Sequence, residues 1–352
     1  MRIGSRDLSA DRPYMIAESG VNHNGDIELA KKLVDAAKEA RADAVKFQTF
    51  TVDEMVTKNA AQAAYQSENT GVSESQALML GRLALSQEKF RSLKQYADRV
   101  GIEFLSTPFS VLDADFLHSL DLAAYKVSSG DLTNLPFLRH LAAFGKPILL
   151  STGMATLEEI RESFDTITRE GAEVVLLQCT SEYPTPLFHV NLRVIETLRK
   201  EFGVPVGFSD HTEGIDASVY AASLGATVIE KHFTLDRTLP GPDHATSLEP
   251  NELIEMIKKI RGAALGSVSI PEETLGSAEK APTAEELRTA KLVRKGIAAR
   301  SDIAKGDVLS DKNIFIARPE GLIPPKKWDN VLGKRAKEVI PRGTSLAWGM
   351  II

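Results

Sequence analysis

The sequence lacks the features that mark secreted, membrane-spanning and nucleic-acid-binding proteins. Its 352 residues include one cysteine, Cys179, so no internal disulfide can form and a reducing compartment is expected. No apolar run reaches the roughly 18 residues that a membrane span needs, and the first residues do not begin a signal-peptide core. The net charge of -6 provides no general attraction to polyanions. We therefore expect a cytoplasmic protein that binds neither nucleic acid nor membranes.

The sequence does contain a regular alternation of short apolar runs and longer helical patterns. Because each crossover helix returns the chain to the same edge, this alternation favours a parallel sheet. Eight such units over about 250 residues predict an α/β fold, the (β/α)8 TIM barrel, with an open doubly wound sheet as the alternative. Strands are predicted at 14–17, 44–47, 103–105, 123–127, 147–150, 173–177, 205–208 and 227–230. Helices are predicted at 27–40, 87–100, 157–169, 215–224 and 251–265, among others.

The chain divides into a barrel domain at 1–265, a linker at 266–286 and a second domain at 287–352. The linker is rich in Ser, Glu, Pro and Gly. Short apolar pieces broken by turn signals indicate that the second domain is small and mostly β. Within the barrel, the long insertion at 49–81 follows the second strand, where long loops often act as lids or mobile segments.

Polar residues occur at the carboxyl end of every predicted strand, where barrel enzymes carry their reactive groups. Since side chains alternate along a strand, Lys46 and Gln48 share one face, as do Glu230 and His232. Two lysines with several hydroxyls would suit a phosphate and a carboxylate. Taken singly, a lysine could instead pair with a nearby Glu, and a Ser or Thr could cap a helix. The predicted anion site consists of Lys46, Lys126, Thr107, Ser129, Ser151 and Ser209.

His211 and His232 are the best candidates for metal ligands, because they end neighbouring strands and imidazole is a common ligand of divalent metals. Two histidines would leave open positions for Lewis-acid chemistry. Taken singly, either could be a structural histidine. Cys179 has no accompanying Cys-His-Asn arrangement and is interpreted as a small buried residue. The glycines match neither a phosphate-binding loop nor a dinucleotide fingerprint, so no nucleotide cofactor is expected.

Nine ordered motifs resemble the bacterial sialic acid synthase family. The C-terminal piece Ala317-Arg318-Pro319 resembles the antifreeze-like (SAF) domain of that family. The resemblance covers nearly the whole chain. The motifs are Glu18–Gly25, Val45–Gln48, Leu105–Phe109, Tyr125–Asp131, Leu150–Met154, Tyr183–Pro186, Gly207–His211, Glu230–Thr234 and Gly241–Asp243.

The resemblance implies that carbon 3 of phosphoenolpyruvate adds to the open-chain aldehyde of an N-acetylated hexose and that phosphate leaves by C–O cleavage. His211 and His232 would bind Mn²⁺ or Mg²⁺, with Glu18 beside the metal. Arg318 would reach across a domain-swapped homodimer to the N-acetyl group of the partner's substrate. Phosphoenolpyruvate would lie against the predicted anion site, and the sugar would contact Gln48, Tyr183 and Asp243. Asp131 is a further expected substrate-binding residue. Asp131 stands where some members have Glu.

The acceptor sugar distinguishes the branches of the family. N-acetylmannosamine, giving N-acetylneuraminate, is the first expectation, closely followed by the acceptor of N,N'-diacetyllegionaminate; pseudaminate and 9-phosphorylated products are further alternatives. Two other classes remain open from the residues themselves. One is a two-histidine metal hydrolase on the same barrel, and the other is a non-enzymatic carbohydrate-binding protein.

Overall fold

The computed structural model describes residues 1–262 and 265–352. A short antiparallel hairpin of β1 (Arg2–Ile3) and β2 (Arg6–Asp7) precedes eight parallel strands. Their order in the sheet is β5-β4-β3-β10-β9-β8-β7-β6, and the outermost strands β5 and β6 contact each other, so the sheet nearly closes into the predicted barrel. All eight predicted strands are confirmed, and most run further toward the carboxyl end. The barrel strands are β3 (Tyr14–Gly20), β4 (Ala44–Thr49), β5 (Glu103–Pro108), β6 (Tyr125–Val127), β7 (Ile148–Ser151), β8 (Val174–Cys179), β9 (Val206–Asp210) and β10 (Val228–His232).

Helices surround the sheet, and side-chain caps fix several of their starts. Asp26 accepts two backbone N–H groups at the start of the first helix, and Thr156 forms a capping box with Glu159. The helix predicted at 251–265 is found at 250–262, and residues 263 and 264 lie outside the described residues. No helix of the described chain is long and apolar enough to cross a membrane. The helices of the barrel region are α1 (Ile27–Glu39), α2 (Val52–Met55), α3 (Ala64–Thr70), α4 (Gln76–Leu83), α5 (Gln87–Val100), α6 (Val111–His118), α7 (Leu135–Ala142), α8 (Leu157–Arg169), α9 (Arg193–Phe202), α10 (Asp216–Ser223) and α11 (Pro250–Gly262).

The insertion after β4 folds into the three short helices α2, α3 and α4. Met55, Val56, Met79 and Leu80 from this insertion are buried in one apolar cluster with Phe109, which follows β5. Burial of these side chains holds the insertion against the barrel mouth.

The C-terminal region has its own apolar core, as expected for a second domain. Its strands β11 (Gly296–Ala299) and β12 (Ile314–Ala317) pair antiparallel, and Ile297, Ile314 and Leu346 lie in a cluster separate from that of the barrel. The remaining helices are α12 (Glu272–Leu275), α13 (Ala284–Val293) and α14 (Trp328–Val331).

The segment predicted as a linker, 266–286, lies along the barrel and is not an extended tether. It contains α12 and the start of α13, and Lys280 Nζ donates to the Cys179 carbonyl at 3.4 Å. The backbone N–H of Ser277 donates to Asn191 Oδ1 at 2.8 Å. Capping and side-chain contacts of this kind are not visible in the Ser, Glu, Pro and Gly composition, which is why the sequence indicated only a connection.

Candidate active site

The barrel interior changes from apolar to polar within one side-chain repeat. Ile16, Ala44, Leu105, Leu149 and Val228 belong to one buried apolar cluster. Because side chains on one face of a strand recur every second residue, the next inward positions lie one layer closer to the carboxyl ends. In the same strand order those positions are Glu18, Lys46, Thr107, Ser151 and Glu230.

A buried cluster of four charged side chains occupies the centre of this polar layer. Lys46 Nζ lies 2.6 Å from Glu18 Oε2 and 3.6 Å from Glu230 Oε2. Lys126 Nζ lies 3.6 Å from Glu230 Oε1. Ser209 Oγ donates to Glu230 Oε1 at 2.9 Å, and Lys46 Nζ donates to Thr107 Oγ1 at 3.1 Å. Two lysines and two carboxylates thus meet where a substrate entering the barrel would arrive.

The two carboxylates of this cluster have opposite protonation tendencies. Burial, assisted by the charge of Glu230, raises the pKa of Glu18 although Lys46 opposes the shift. Burial would also raise the pKa of Glu230, but Lys126 and Lys46 together lower it below its usual value. When Glu18 is ionised the two carboxylates balance the two lysines, and when Glu18 is protonated the cluster carries a net positive charge, which favours a bound anion.

Hydroxyl groups surround the lysines on the β6–β9 side. Ser151 Oγ is buried without a hydrogen-bond partner among the described residues, so it is available to a ligand. Ser129 Oγ accepts the backbone N–H of Gly153 at 3.0 Å. A Cβ at position 153 would overlap Ser181 Oγ and lie 2.7 Å from Ser129 Oγ, so a side chain there would displace both hydroxyls.

The two candidate metal ligands lie together at the mouth. The ring centroids of His211 and His232 are 5.7 Å apart. His211 Nδ1 donates to the Thr180 carbonyl at 2.7 Å, which leaves Nε2 as the lone-pair atom, 3.2 Å from the hydroxyl of Tyr183. His232 Nδ1 is buried and has no hydrogen-bond partner within the described chain.

These donors fit a divalent ion that keeps open positions. Residues 1–262 and 265–352 contain no group of three or more His, Cys, Asp or Glu side chains arranged to hold a metal. The chain therefore supplies two imidazoles, and the other positions would fall to substrate oxygens and water. Donation from Nδ1 to a backbone carbonyl fixes the ring and tautomer of His211 in the way typical of a metal-binding histidine.

The remaining predicted residues line the outer part of the same pocket. Gln48 Nε2 donates to Glu18 Oε1 at 3.4 Å. Burial raises the pKa of Asp243 to about 6. The Arg318 side chain, 9% exposed, packs over the ring of Phe109 and donates to Gln76 Oε1 at 3.5 Å. Arg318 is thus at the mouth of its own chain's barrel.

All but one of the predicted site residues line this single pocket. The exception is Asp131, for which a substrate contact was expected. Its carboxylate lies 2.7 Å from Lys295 Nζ and accepts from Asn134 Nδ2 at 3.1 Å. Both members of the Asp131–Lys295 pair are fully buried, so Asp131 joins the barrel to the start of the C-terminal domain instead of facing the pocket.

Glu230 and Tyr65 are among the lining residues that were not assigned to the site from the sequence. Glu230 shares a face with His232 by strand alternation, so its position was within reach of that reasoning. Tyr65, on α3 of the insertion, stacks on Tyr183 with ring centroids 4.9 Å apart. No local pattern indicates that contact, because it depends on how the insertion folds back over the mouth.

The barrel, its buried lysine pair and its open histidine pair define an enzyme that handles a small anionic substrate. The NeuB family model matches residues 33–269, and the SAF domain model matches residues 294–352. The chain therefore belongs to the NeuB family. It is a transferase of the phosphoenolpyruvate-dependent nonulosonic acid synthase type, which sets aside the hydrolase and the non-enzymatic carbohydrate-binding protein.

Three similar proteins illustrate the range of the family. N,N'-diacetyllegionaminic acid synthase of Legionella pneumophila is 45% identical over 95% of this chain and 93% of its own. Human N-acetylneuraminate-9-phosphate synthase is 34% identical over 92% of this chain and 88% of its own. The crystal structure of the Bacillus subtilis spore coat polysaccharide biosynthesis protein SpsE is 34% identical, covers 100% of this chain and 99% of its own, and superposes with a TM-score of 0.83.

Replacement of Lys46 or Lys126 by Met retains most of the apolar stem and removes the charge. We expect kcat/KM for phosphoenolpyruvate to fall, because a buried charged contact is lost. The decrease should correspond to an increase of about 2–4 kcal/mol in activation free energy. Steady-state kinetics of phosphate release measures this. Lys58→Met is the control, since Lys58 is an exposed lysine of the insertion and should leave kcat/KM unchanged. Wild-type kinetics in a folded Lys46→Met or Lys126→Met protein would remove that lysine from the anion site.

Proposed function

We propose that the enzyme makes N,N'-diacetyllegionaminate from phosphoenolpyruvate and a 2,4-diacetamido-2,4,6-trideoxyhexose. From the sequence alone, N-acetylneuraminate was the first expectation, and the identities to known synthases favour N,N'-diacetyllegionaminate instead. The N,N'-diacetyllegionaminic acid synthases of Legionella pneumophila and Campylobacter jejuni are 45% and 42% identical to this chain. The human N-acetylneuraminate-9-phosphate synthase and a Campylobacter jejuni pseudaminic acid synthase are each 34% identical.

The apolar wall of the pocket is the observation that carries this choice of acceptor. Met55, Met79, Leu80 and Leu83, all from the insertion or its last helix, line the pocket. Such a wall suits the C6 methyl and the second acetamido methyl of the trideoxy sugar, whereas the hydroxyls of N-acetylmannosamine would lose water there without gaining partners.

The distribution of cations argues against a phosphorylated acceptor. Among the described lining residues, Lys46, Lys126 and Arg318 are the only lysines or arginines. If the two lysines hold the phosphate and carboxylate of phosphoenolpyruvate, Arg318 alone remains for the sugar. A sugar phosphate normally meets more than one cationic or strongly donating group.

Within this assignment the side chains have separate tasks. Lys46 and Lys126, with the hydroxyls of Thr107, Ser129, Ser151 and Ser209, hold phosphoenolpyruvate by its phosphate and carboxylate. A bond then forms between its carbon 3 and the aldehyde carbon, water adds at carbon 2, and phosphate departs by C–O cleavage.

Glu18 and the outer residues would complete the site. With its raised pKa, Glu18 can hold a proton beside the sugar oxygen that gains charge. Gln48, Tyr183 and Asp243 would orient the sugar, and Arg318 would face an acetamido oxygen. Mn²⁺ or Mg²⁺ held by His211 and His232 would supply Lewis-acid polarisation of the aldehyde. The single cysteine favours the reducing cytoplasm as the compartment.

The acceptor is tested with a panel of sugars. We expect kcat/KM for 2,4-diacetamido-2,4,6-trideoxymannose to exceed that for N-acetylmannosamine by about 10- to 200-fold, the range that apolar pocket contacts provide. N-acetylmannosamine 6-phosphate should be poorer still. Phosphate release and mass spectrometry of the product measure these differences. A higher kcat/KM for N-acetylmannosamine would return the assignment to N-acetylneuraminate.

The metal proposal is tested at the two histidines. His211→Ala or His232→Ala removes one of the two proposed imidazole donors, so turnover should collapse while the circular dichroism spectrum is retained. Chelation of the wild-type protein should have the same effect, and added Mn²⁺ should restore activity. Full activity after exhaustive chelation would contradict the proposal.

The proposed domain-swapped homodimer is tested by complementation. In one chain, the Arg318 backbone pairs with the insertion: its N–H donates to the Met55 carbonyl and its carbonyl accepts from Thr57 N–H, both at 2.9 Å. A swapped dimer would make these contacts between chains. Arg318→Ala and His232→Ala proteins should each be inactive, and refolding them together should recover activity. No recovery in demonstrated heterodimers would show that Arg318 serves its own barrel.

A further inference from the structure

The segment that connects the two domains reaches the active site through a residue outside the pocket. Glu286, on the first turn of α13, is 2% exposed and is not among the lining residues. Its Oε1 accepts the backbone N–H of Met154 at 2.7 Å and that of Ser181 at 2.9 Å. These two residues lie in the loops that follow β7 and β8, at the mouth of the barrel. One carboxylate therefore ties two active-site loops together.

The Ser181 contact leads directly to His211. The peptide group between Thr180 and Ser181 donates its N–H to Glu286, and its carbonyl accepts from His211 Nδ1 at 2.7 Å. A carboxylate at one end of a peptide group polarises it and strengthens the acceptor at the other end. The tautomer and orientation of the His211 ring are thus coupled to Glu286 through one peptide plane.

The Met154 contact holds a strained backbone. Met154 has a φ of 61°, the left-handed region that a residue with a side chain seldom adopts. Its N–H donates to Glu286, and its carbonyl accepts from Arg294 Nη2 at 2.9 Å, so two charged residues at opposite ends of α13 hold the peptide groups on both sides of Met154. The preceding residue, Gly153, donates to Ser129 Oγ, which places the strained turn next to the hydroxyls of the anion site.

We propose that Glu286 is a positioning residue of the active site. Its carboxylate sets the register of the β7 and β8 loops, and through them it orients His211 and the hydroxyls of Ser129 and Ser151. This role rests on the proposed function for the identity of the ligands. It gives 266–286 a task that a simple connection between domains would not have.

The test compares Glu286→Ala and Glu286→Gln with Glu285→Ala. Glu285 precedes Glu286 on the same helical turn, its side chain is 41% exposed, and it pairs with Arg288 of its own helix, which makes it a matched control. In the wild type, Glu286 Oε2 accepts the backbone N–H of Thr283. The amide of Glu286→Gln retains one carbonyl acceptor, loses the charge, and places an NH₂ group next to the Thr283 N–H, where an acceptor was. Melting temperature, KM for phosphoenolpyruvate, KM for the acceptor and the Kd of Mn²⁺ without substrates are measured for each protein.

We expect Glu286→Ala to weaken Mn²⁺ binding and to raise KM for phosphoenolpyruvate, each by about 10- to 100-fold, the usual effect of losing a residue that holds a metal ligand in place. KM for the acceptor should stay nearly unchanged. Glu286→Gln should show the same pattern at about 3- to 10-fold and near the wild-type melting temperature, so it decides the matter if Glu286→Ala does not fold. Glu285→Ala should match the wild type.

Two results would overturn the role of Glu286. One is an unchanged KM for phosphoenolpyruvate and an unchanged Kd of Mn²⁺ in folded Glu286→Ala or in Glu286→Gln. The other is an equally large change of these two constants in Glu285→Ala. Failure of the proposed function looks different. A wild-type protein that releases no phosphate from phosphoenolpyruvate with any acceptor contradicts that function, while the Mn²⁺ Kd still reports on Glu286. If the wild type binds no Mn²⁺, the metal proposal fails, and the role of Glu286 is then judged by KM for phosphoenolpyruvate.

Discussion

The active site depends on keeping two lysines charged inside a barrel. Burial of Lys46 and Lys126 costs several kcal/mol per ion unless opposite charges lie close. Glu18 and Glu230 provide those charges within 2.6–3.6 Å. Under the proposed function, an entering anion would replace the carboxylates as the partner of the lysines, so the arrangement that stabilises the buried lysines would also suit phosphoenolpyruvate.

The polar layer lies directly above the apolar layer of the barrel interior, and loops and other segments at the carboxyl ends of the strands form the rest of the pocket. The insertion supplies Tyr65 and the methionine and leucine wall, the barrel loops supply Tyr183 and Asp243, and the C-terminal domain supplies Arg318. The pocket therefore combines a rigid floor, set by strand geometry, with walls from three regions of the chain. Differences in acceptor sugar within the family are most easily accommodated in such walls, because loops change without disturbing the barrel.

The connection between the domains is part of the same construction. Lys295 pairs with Asp131 of the barrel, and Glu286 and Arg294 hold the backbone of Met154. The C-terminal domain is thus anchored at the loops that carry the reactive groups. Any movement of this domain, or its exchange between chains, would change the position of α13 and therefore its contacts with the loops that follow β7 and β8.

The sequence by itself determined the eight strands, the shared face of Lys46 with Gln48 and of Glu230 with His232, and the location of the lysines, hydroxyls and histidines at the carboxyl ends of the strands. These features follow from the period of two along a strand and from the parallel arrangement, which are local rules that hold before any loop is placed. The same alternation already put Glu230 beside His232, although no role was assigned to it.

Only the tertiary structure decided the long-range contacts. Asp131, expected to bind substrate, instead pairs with Lys295, which lies far along the chain. Tyr65 stacks on Tyr183 because the insertion folds back over the mouth. Glu286 was assigned to a linker on composition, yet its carboxylate is buried against backbone groups of two barrel loops. Composition and periodicity describe a residue's neighbours in sequence. Contacts of this kind depend on how separate loops and domains pack against each other, which is a property of the folded chain as a whole.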